Sequence, residues 1–307
     1  MTSRIRGVSG WVAAVVLAAV CVLAPAQAAV MAPARSSALQ IIDDRGAQVR
    51  LKHVPKRIIS LLPSLTETVC DLGACDRLVG VDRWSSWPAS VQGLPRLGGL
   101  DDPQIERIVS LRPDLVLVAP STRVAPRLRS LGLSVAELDA QDLDQVRSVM
   151  SRLAILLGQP ERGAARWQAL QQGIDAVARQ PRPAGMPAER VYFEVSSTPY
   201  AAGEASFIGE LLRRLGAGNV VPAALGPFPK LNPEFIVRAD PTVIILPAGE
   251  AAALAQRPGW SRIQALRQRR VCALSPAQVD VLARPGPRLV EGVRVLADCL
   301  RPLGSRP

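Results

Sequence analysis

Few residues in this chain have the types and spacing to hold a ligand. Asp280 and Arg284 stand four apart, shortly after the apolar stretch 271–274. An acid and a base at that spacing either pair on one helical face or offer hydrogen bonds to polar groups of a bound molecule. Trp84-Ser85-Ser86-Trp87-Pro88 places two tryptophans in a proline-bounded loop, and Phe228 sits between Pro227 and Pro229. A buried indole needs a partner for its N–H. These rings therefore either clamp their loops onto the nearest domain or form an aromatic wall for a large ligand. Covalent chemistry has little to work with. His53 is the single histidine, so a Ser-His-Asp arrangement would have to use it. No Gly-x-Ser-x-Gly elbow, phosphate-binding P-loop or His-rich metal motif occurs. The expectation is a binding protein with no catalytic residue, no resident metal and no cofactor. An exported hydrolase is the remote alternative.

The elements that must position these residues come in two similar sets. Residues 106–118 read ERIVSLRPDLVLV and residues 234–246 read EFIVRADPTVIIL. In both, a glutamate opens a short helix, Ile-Val follows at the same offsets, proline stops the helix, and an apolar strand begins. The offset is too long for a solenoid repeat, so it predicts two similar α/β lobes with a cleft between them. A hairpin is expected over 39–53, around an Asp43-Asp44-Arg45-Gly46 turn. Strands are expected near 57–62, 78–81, 115–118 and 134–138, and again at 191–195, 243–246 and 271–274. Helices alternate with them, so the sheets should be mainly parallel. Ser64 with Glu67 has the form of a capping box, and Asp102-Pro103 that of a helix start. Two consecutive helices over 142–157 and 160–179 separate the lobes, and 181–185 (PRPAG) ends the second. The fold class is α/β: two lobes, each with a central sheet flanked by helices, joined by one long helix. The boundaries are 39–157 for the first lobe, 158–182 for the linking helix and 188–302 for the second lobe.

Residues 1–28 read as a secretory signal: Arg4 and Arg6, an apolar run over 11–23, then Ala26-Gln27-Ala28. The run is shorter than a membrane span requires. Cys21 within it leaves lipidation as a minor alternative. The mature protein is expected in the periplasm as a monomer. The charge is strongly basic, 37 Lys+Arg against 26 Asp+Glu. The excess is scattered arginine with few aromatics, which argues against a nucleic-acid partner. Cys70, Cys75, Cys272 and Cys299 remain after the signal, and export makes disulfides plausible. Of the three possible pairings, Cys70–Cys75 and Cys272–Cys299 are favoured, because each pair lies within one lobe. The cysteine spacings do not match a zinc finger.

The segments RIISLLPSLTE (57–67), VGV (79–81), IERIV (105–109) and RPDLV (112–116) resemble the substrate-binding proteins of ABC importers. The resemblance spans about residues 39–302. It is to the class with a single rigid helix between the lobes, which carries cobalamin, haem and iron–siderophore complexes, and it is strongest to the cobalamin-binding members. It implies no catalysis, capture of a corrinoid in the cleft, and delivery to the transmembrane permease and its ATPase. Haem or a ferric siderophore is the alternative ligand. The resemblance implies that Trp84 and Phe228 form aromatic wall, to which the loop reading adds Trp87, and that Asp280 and Arg284 hydrogen-bond corrin amides. It further implies that Glu106 and Glu234 dock onto permease arginines, one per lobe. Unaided, the residues also allow these two glutamates simply to stabilise helix N-termini. Leu100, Ala119 and Val195 depart from the pattern, standing where the relatives carry large aromatics. A tyrosine such as Tyr200 is a candidate haem-iron ligand, whereas His53 precedes the first core strand, beside the hairpin and apart from the ligand loops.

Overall fold

The computed structural model describes residues 39–180, 188–197 and 199–301. The signal segment 1–28 and the break at 181–185 lie outside them. The first lobe runs β1 (Leu39–Ile42), β2 (Gln48–Leu51), β3 (Ile58–Ser60), α1 (Pro63–Asp71), β4 (Leu78–Val81), α2 (Ile105–Ser110), β5 (Leu115–Val118), α3 (Ala125–Ser130), β6 (Val135–Glu137) and α4 (Leu143–Leu156). Then comes α5 (Pro160–Ala178). The second lobe runs β7 (Arg190–Ser196), β8 (Tyr200–Ala201), α6 (Phe207–Arg214), β9 (Gly218–Asn219), α7 (Pro233–Ala239), β10 (Val243–Pro247), α8 (Ala248–Ala251), α9 (Gln264–Arg267), β11 (Val271–Leu274), α10 (Pro276–Ala283) and α11 (Leu289–Leu300).

The first sheet is parallel, in the order β4-β3-β5-β6. In the second, β9-β7-β10-β11 repeats that order, and β8 adds an antiparallel strand to the edge of β7. Every residue of β5 and the first four of β10 are buried, as a sheet covered on both faces requires. The sequence repeat extends to backbone detail. Arg112 and Asp240, each just before the repeat's proline, both adopt a left-handed conformation, φ 47° and 43°. The next residue after each proline ties down the neighbouring strand. Asp114 accepts the Arg57 N–H at 2.9 Å, and Thr242 accepts the Arg190 N–H at 2.8 Å. Each of those arginines returns its guanidinium to carbonyls at the helix end: Arg57 to Leu111, and Arg190 to Ala239 and Asp240. One device thus stops both helices and starts both central strand pairs.

The 19 residues of α5 extend about 28 Å at 1.5 Å per residue. The helix packs on α4 of the first lobe and α11 of the second. Two glycines permit the close approach. A Cβ on Gly163 would lie 2.5 Å from the Ala154 methyl, and one on Gly173 2.7 Å from Val290 Cγ2. Buried Leu170, Ile174 and Val177 recur at helical spacing and form its narrow apolar stripe. Both expected disulfides, Cys70–Cys75 and Cys272–Cys299, are formed. Two helix starts are not as expected. The N-cap of α1 is Leu62, with no side-chain cap, so Ser64 and Glu67 form no capping box. Asp102 does not cap α2, which begins at Ile105. Asp102 accepts the Gly99 N–H at 2.9 Å and pairs with Arg83. Among the described residues a capping box is formed by Ser275 with Gln278 at α10, and Asp142, Ser206 and Asn232 cap α4, α6 and α7. No helix among the described residues is long and apolar enough to cross a membrane.

Candidate functional site

Between the lobes lies a cavity of about 310 Å³. Leu62, Asp139 and Gln141 line it from the first lobe, and Glu194, Val195 and Phe228 from the second. Leu62 and Asp139 follow the carboxyl ends of β3 and β6, the side of an open α/β sheet where ligands bind. Phe228 packs against Phe207 with ring centroids 5.9 Å apart, so the stiff proline-flanked loop delivers a ring to the cavity wall. The second-lobe wall is completed by α10 and the turn after it, through Val279, Leu282, Ala283 and Pro285, and by residues of β7, α6, β10 and β11.

The polar lining is acidic or amide in character. Glu194 is fully buried and accepts two hydrogen bonds from Arg257, at 2.6 and 2.8 Å, and one from the Tyr192 hydroxyl at 3.0 Å. Arg257 stacks over the buried Trp260, 4.5 Å from the ring centroid. Asp139 accepts the Ala140 N–H at 2.8 Å. Burial pushes the Asp139 carboxyl above the ordinary aspartate range; the Ala140 N–H opposes this and the nearby Asp44 charge adds to it.

The remaining predicted ligand residues gather beside the cavity in one interlobe cluster. Asp280 and Arg284 do pair, at 2.8 Å, with the Asp280 side chain 48% exposed and that of Arg284 8%. Arg284 also donates to Glu67 at 3.0 Å, to the Ser86 hydroxyl at 3.2 Å and to the Trp84 carbonyl at 3.0 Å. Its guanidinium thus holds protein groups of the opposite lobe. Arg288 donates to both oxygens of Glu67, at 2.9 and 2.6 Å, and lies 5.0 Å from the centre of the Trp87 ring. Glu67 itself is completely buried. Spacing could not assign Glu67 to this cluster, because its partners lie 217 and 221 residues away. Trp84 is 65% exposed and Trp87 38%. Asp82 accepts the Trp84 N–H at 2.8 Å and a hydrogen bond from the Ser85 hydroxyl, which fixes the start of their loop. Burial holds the Asp82 carboxyl above its ordinary range, opposed by those two hydrogen bonds and by the charges of Arg284 and Arg96.

Glu106 and Glu234 are both exposed, each in the first turn of its helix, α2 and α7. Val195 lines the cavity, Leu100 is on the surface of the first lobe, and Ala119 is buried. Tyr200 is partly exposed on β8, His53 is exposed just after β2, and neither lines the cavity. Asp139 and Glu194 were missed in the sequence. The available signal for Glu194 was a charge inside the apolar run VYFEV, and for Asp139 its place at a strand's carboxyl end.

Comparison with known proteins agrees with this architecture. The family model described as periplasmic binding protein matches residues 58–277. The chain is 31% identical over 272 residues to the uncharacterized ABC transporter substrate-binding lipoprotein YvrC of Bacillus subtilis, covering 85% of each chain. Among solved structures, the periplasmic haem-binding protein BhuT in complex with two haems shares 30% identity at a TM-score of 0.67, over 80% of this chain and 99% of that one. The periplasmic vitamin B12-binding protein BtuF of Vibrio cholerae shares 25% identity at a TM-score of 0.65, over 80% and 97%. With matches spanning both lobes and the cleft between them, the chain belongs to the periplasmic binding protein family, as a non-enzymatic substrate-binding protein of an ABC transporter.

Proposed function

We propose that this protein is exported to the periplasm, captures a corrinoid in the interlobe cleft and delivers it to a membrane permease. The observation that carries the choice of ligand is the polar lining of the cavity: Asp139, Gln141 and Glu194. A corrinoid is fringed with carboxamides, whose N–H groups suit carboxylate and amide acceptors. Haem propionates and carboxylate siderophores would bring negative charge beside Asp139, with no unpaired cation to meet it: Arg257 is engaged by Glu194, and the nearby Arg284 and Arg288 by Glu67. A cavity of about 310 Å³ seats one edge of a macrocycle against Phe228. Trp84 and Trp87 would carry more of its face, and the exposed oxygen of Asp280 would accept an amide. Haem is the second reading, favoured by the likeness to BhuT.

Titration calorimetry of residues 29–307 with cyanocobalamin, cobinamide and haemin separates the two. Micromolar or tighter binding of the corrinoids without haemin binding is expected. Saturable heat with haemin alone would overturn the corrinoid reading.

Asp139 gives this reading a pH signature. Its ionised form is the acceptor, and its pKa is raised. Corrinoid affinity should therefore fall on acidification earlier than an ordinary aspartate, with a pKa of about 3.9, would dictate. Asp139→Asn should weaken binding and flatten that profile. A wild-type affinity that stays constant well into the ordinary aspartate range would remove Asp139 from the site.

A further inference from the structure

We propose that Glu67 is a positioning residue that sets the opening of the cleft by clamping the second lobe to the first, and that the spine helix alone does not fix this geometry. The proposal rests on the ligand-capture reading above for its consequence, but not for its structural content. Glu67 is on α1 of the first lobe and fully buried. Its two carboxylate oxygens accept three hydrogen bonds of 2.6–3.0 Å, all from arginines flanking the turn between α10 and α11. That turn lies directly on α1: a Cβ on Gly286 would stand 3.5 Å from the Ser64 carbonyl. The same two arginines reach the aromatic loop. Arg284 holds the Trp84 carbonyl and the Ser86 hydroxyl, and Arg288 lies over the Trp87 ring. One carboxylate therefore fixes two cations, and those cations fix the loop expected to meet the ligand. The α10 wall of the cavity leads directly into Arg284, so loop and wall are held in register by a single buried charge.

The charge count makes Glu67 the critical member. Without it, two guanidiniums with side chains only 8% and 10% exposed would face α1, with Asp280 and Glu291, at 48% and 53%, as the remaining carboxylates in pairing distance. Buried like charges repel strongly where water cannot screen them. The two guanidiniums share the second lobe, so parting of the lobes does not separate them from each other; it relieves their cost by admitting water to both.

The test is the interlobe distance distribution of the ligand-free protein, measured by pulsed electron resonance with spin labels on Ser130→Cys and Ala252→Cys, one in each lobe. In the Glu67→Gln background the distribution should become at least about twice as wide. Affinity for cyanocobalamin should fall by about tenfold or more. Arg288→Met, which leaves Glu67 paired with Arg284, should broaden the distribution less, and it supplies the comparison if the Gln variant does not fold. A merely structural Glu67 would lower the melting temperature and leave the distribution of the folded protein unchanged, and an unchanged width in these variants overturns the proposal. If the wild-type protein binds no corrinoid, the ligand reading fails while the distance measurement still decides the role of Glu67.

Discussion

Glu67→Ala should cost about 3–5 kcal/mol of folding stability, the scale for removing one partner of a buried ion cluster. Ordinary domains are stable by about 5–15 kcal/mol, so the loss would be a large share of the total. The cause is specific. The carboxylate accepts from Arg284 and Arg288 at 2.6–3.0 Å with essentially no solvent contact. Alanine leaves both guanidiniums desolvated without that partner. Urea unfolding of residues 29–307 reads the effect as a lower midpoint with an unchanged slope. A loss below about 1 kcal/mol would mean that water reaches the site and that the pairing is worth no more than a surface bridge. The triple replacement Glu67→Leu, Arg284→Met, Arg288→Met should recover most of the stability, because an apolar substitute for a buried ion cluster is often neutral or better. It should not recover a narrow interlobe distance distribution, so stability and positioning come apart in one set of proteins.

Reversing charge at both Glu106 and Glu234 should abolish delivery to the permease and leave ligand affinity unchanged. The two carboxylates occupy matched positions of the internal repeat, one per lobe, at the exposed N-terminal turns of α2 and α7. Arg238 is 3.8 Å from Glu234 with both side chains mostly exposed, a weak pair that a competing cation can displace. Close charge pairs across protein interfaces couple by about 1.5–7 kcal/mol. Losing two and adding two repulsions should leave no productive complex. The measurement is uptake of labelled cyanocobalamin by vesicles carrying the transporter, with Glu106→Arg and Glu234→Arg alone and together. Each single change should give partial loss. Uptake by the double variant at the wild-type rate would show that the glutamates only stabilise their helices.

What the sequence made legible follows its local physics. The 128-residue offset between the two proline-stopped helices predicted the two lobes, and the fold repeats strand order, left-handed φ values and the Arg57 and Arg190 contacts at corresponding places. Strand and helix positions followed from apolar periodicity and from glycine and proline. Capping was read less well. Ser64 and Glu67 have the local form of a capping box, but Glu67 is claimed by arginines more than two hundred residues away, and no short-range pattern carries that information. Asp102 was likewise taken by Gly99 and Arg83. Phe228 was legible because two prolines restrict its loop. Asp139 and Glu194 were not singled out, because their significance comes from which strand ends the topology brings to one cavity. For Asp280 and Arg284 the spacing allowed both an ion pair and a ligand role. The pair is formed, and its further partners on the opposite lobe were beyond local reading.

Each disulfide joins cysteines close in the chain, five and 27 residues apart, and neither staples one half to the other. A polypeptide threaded N-terminus first through a secretion pore would present Cys70 and Cys75 to an oxidase together, long before Cys272 emerges. Order of emergence would then select the native connectivity from the three available, without a shuffling enzyme, and the two lobes would stay free of a covalent crosslink throughout maturation.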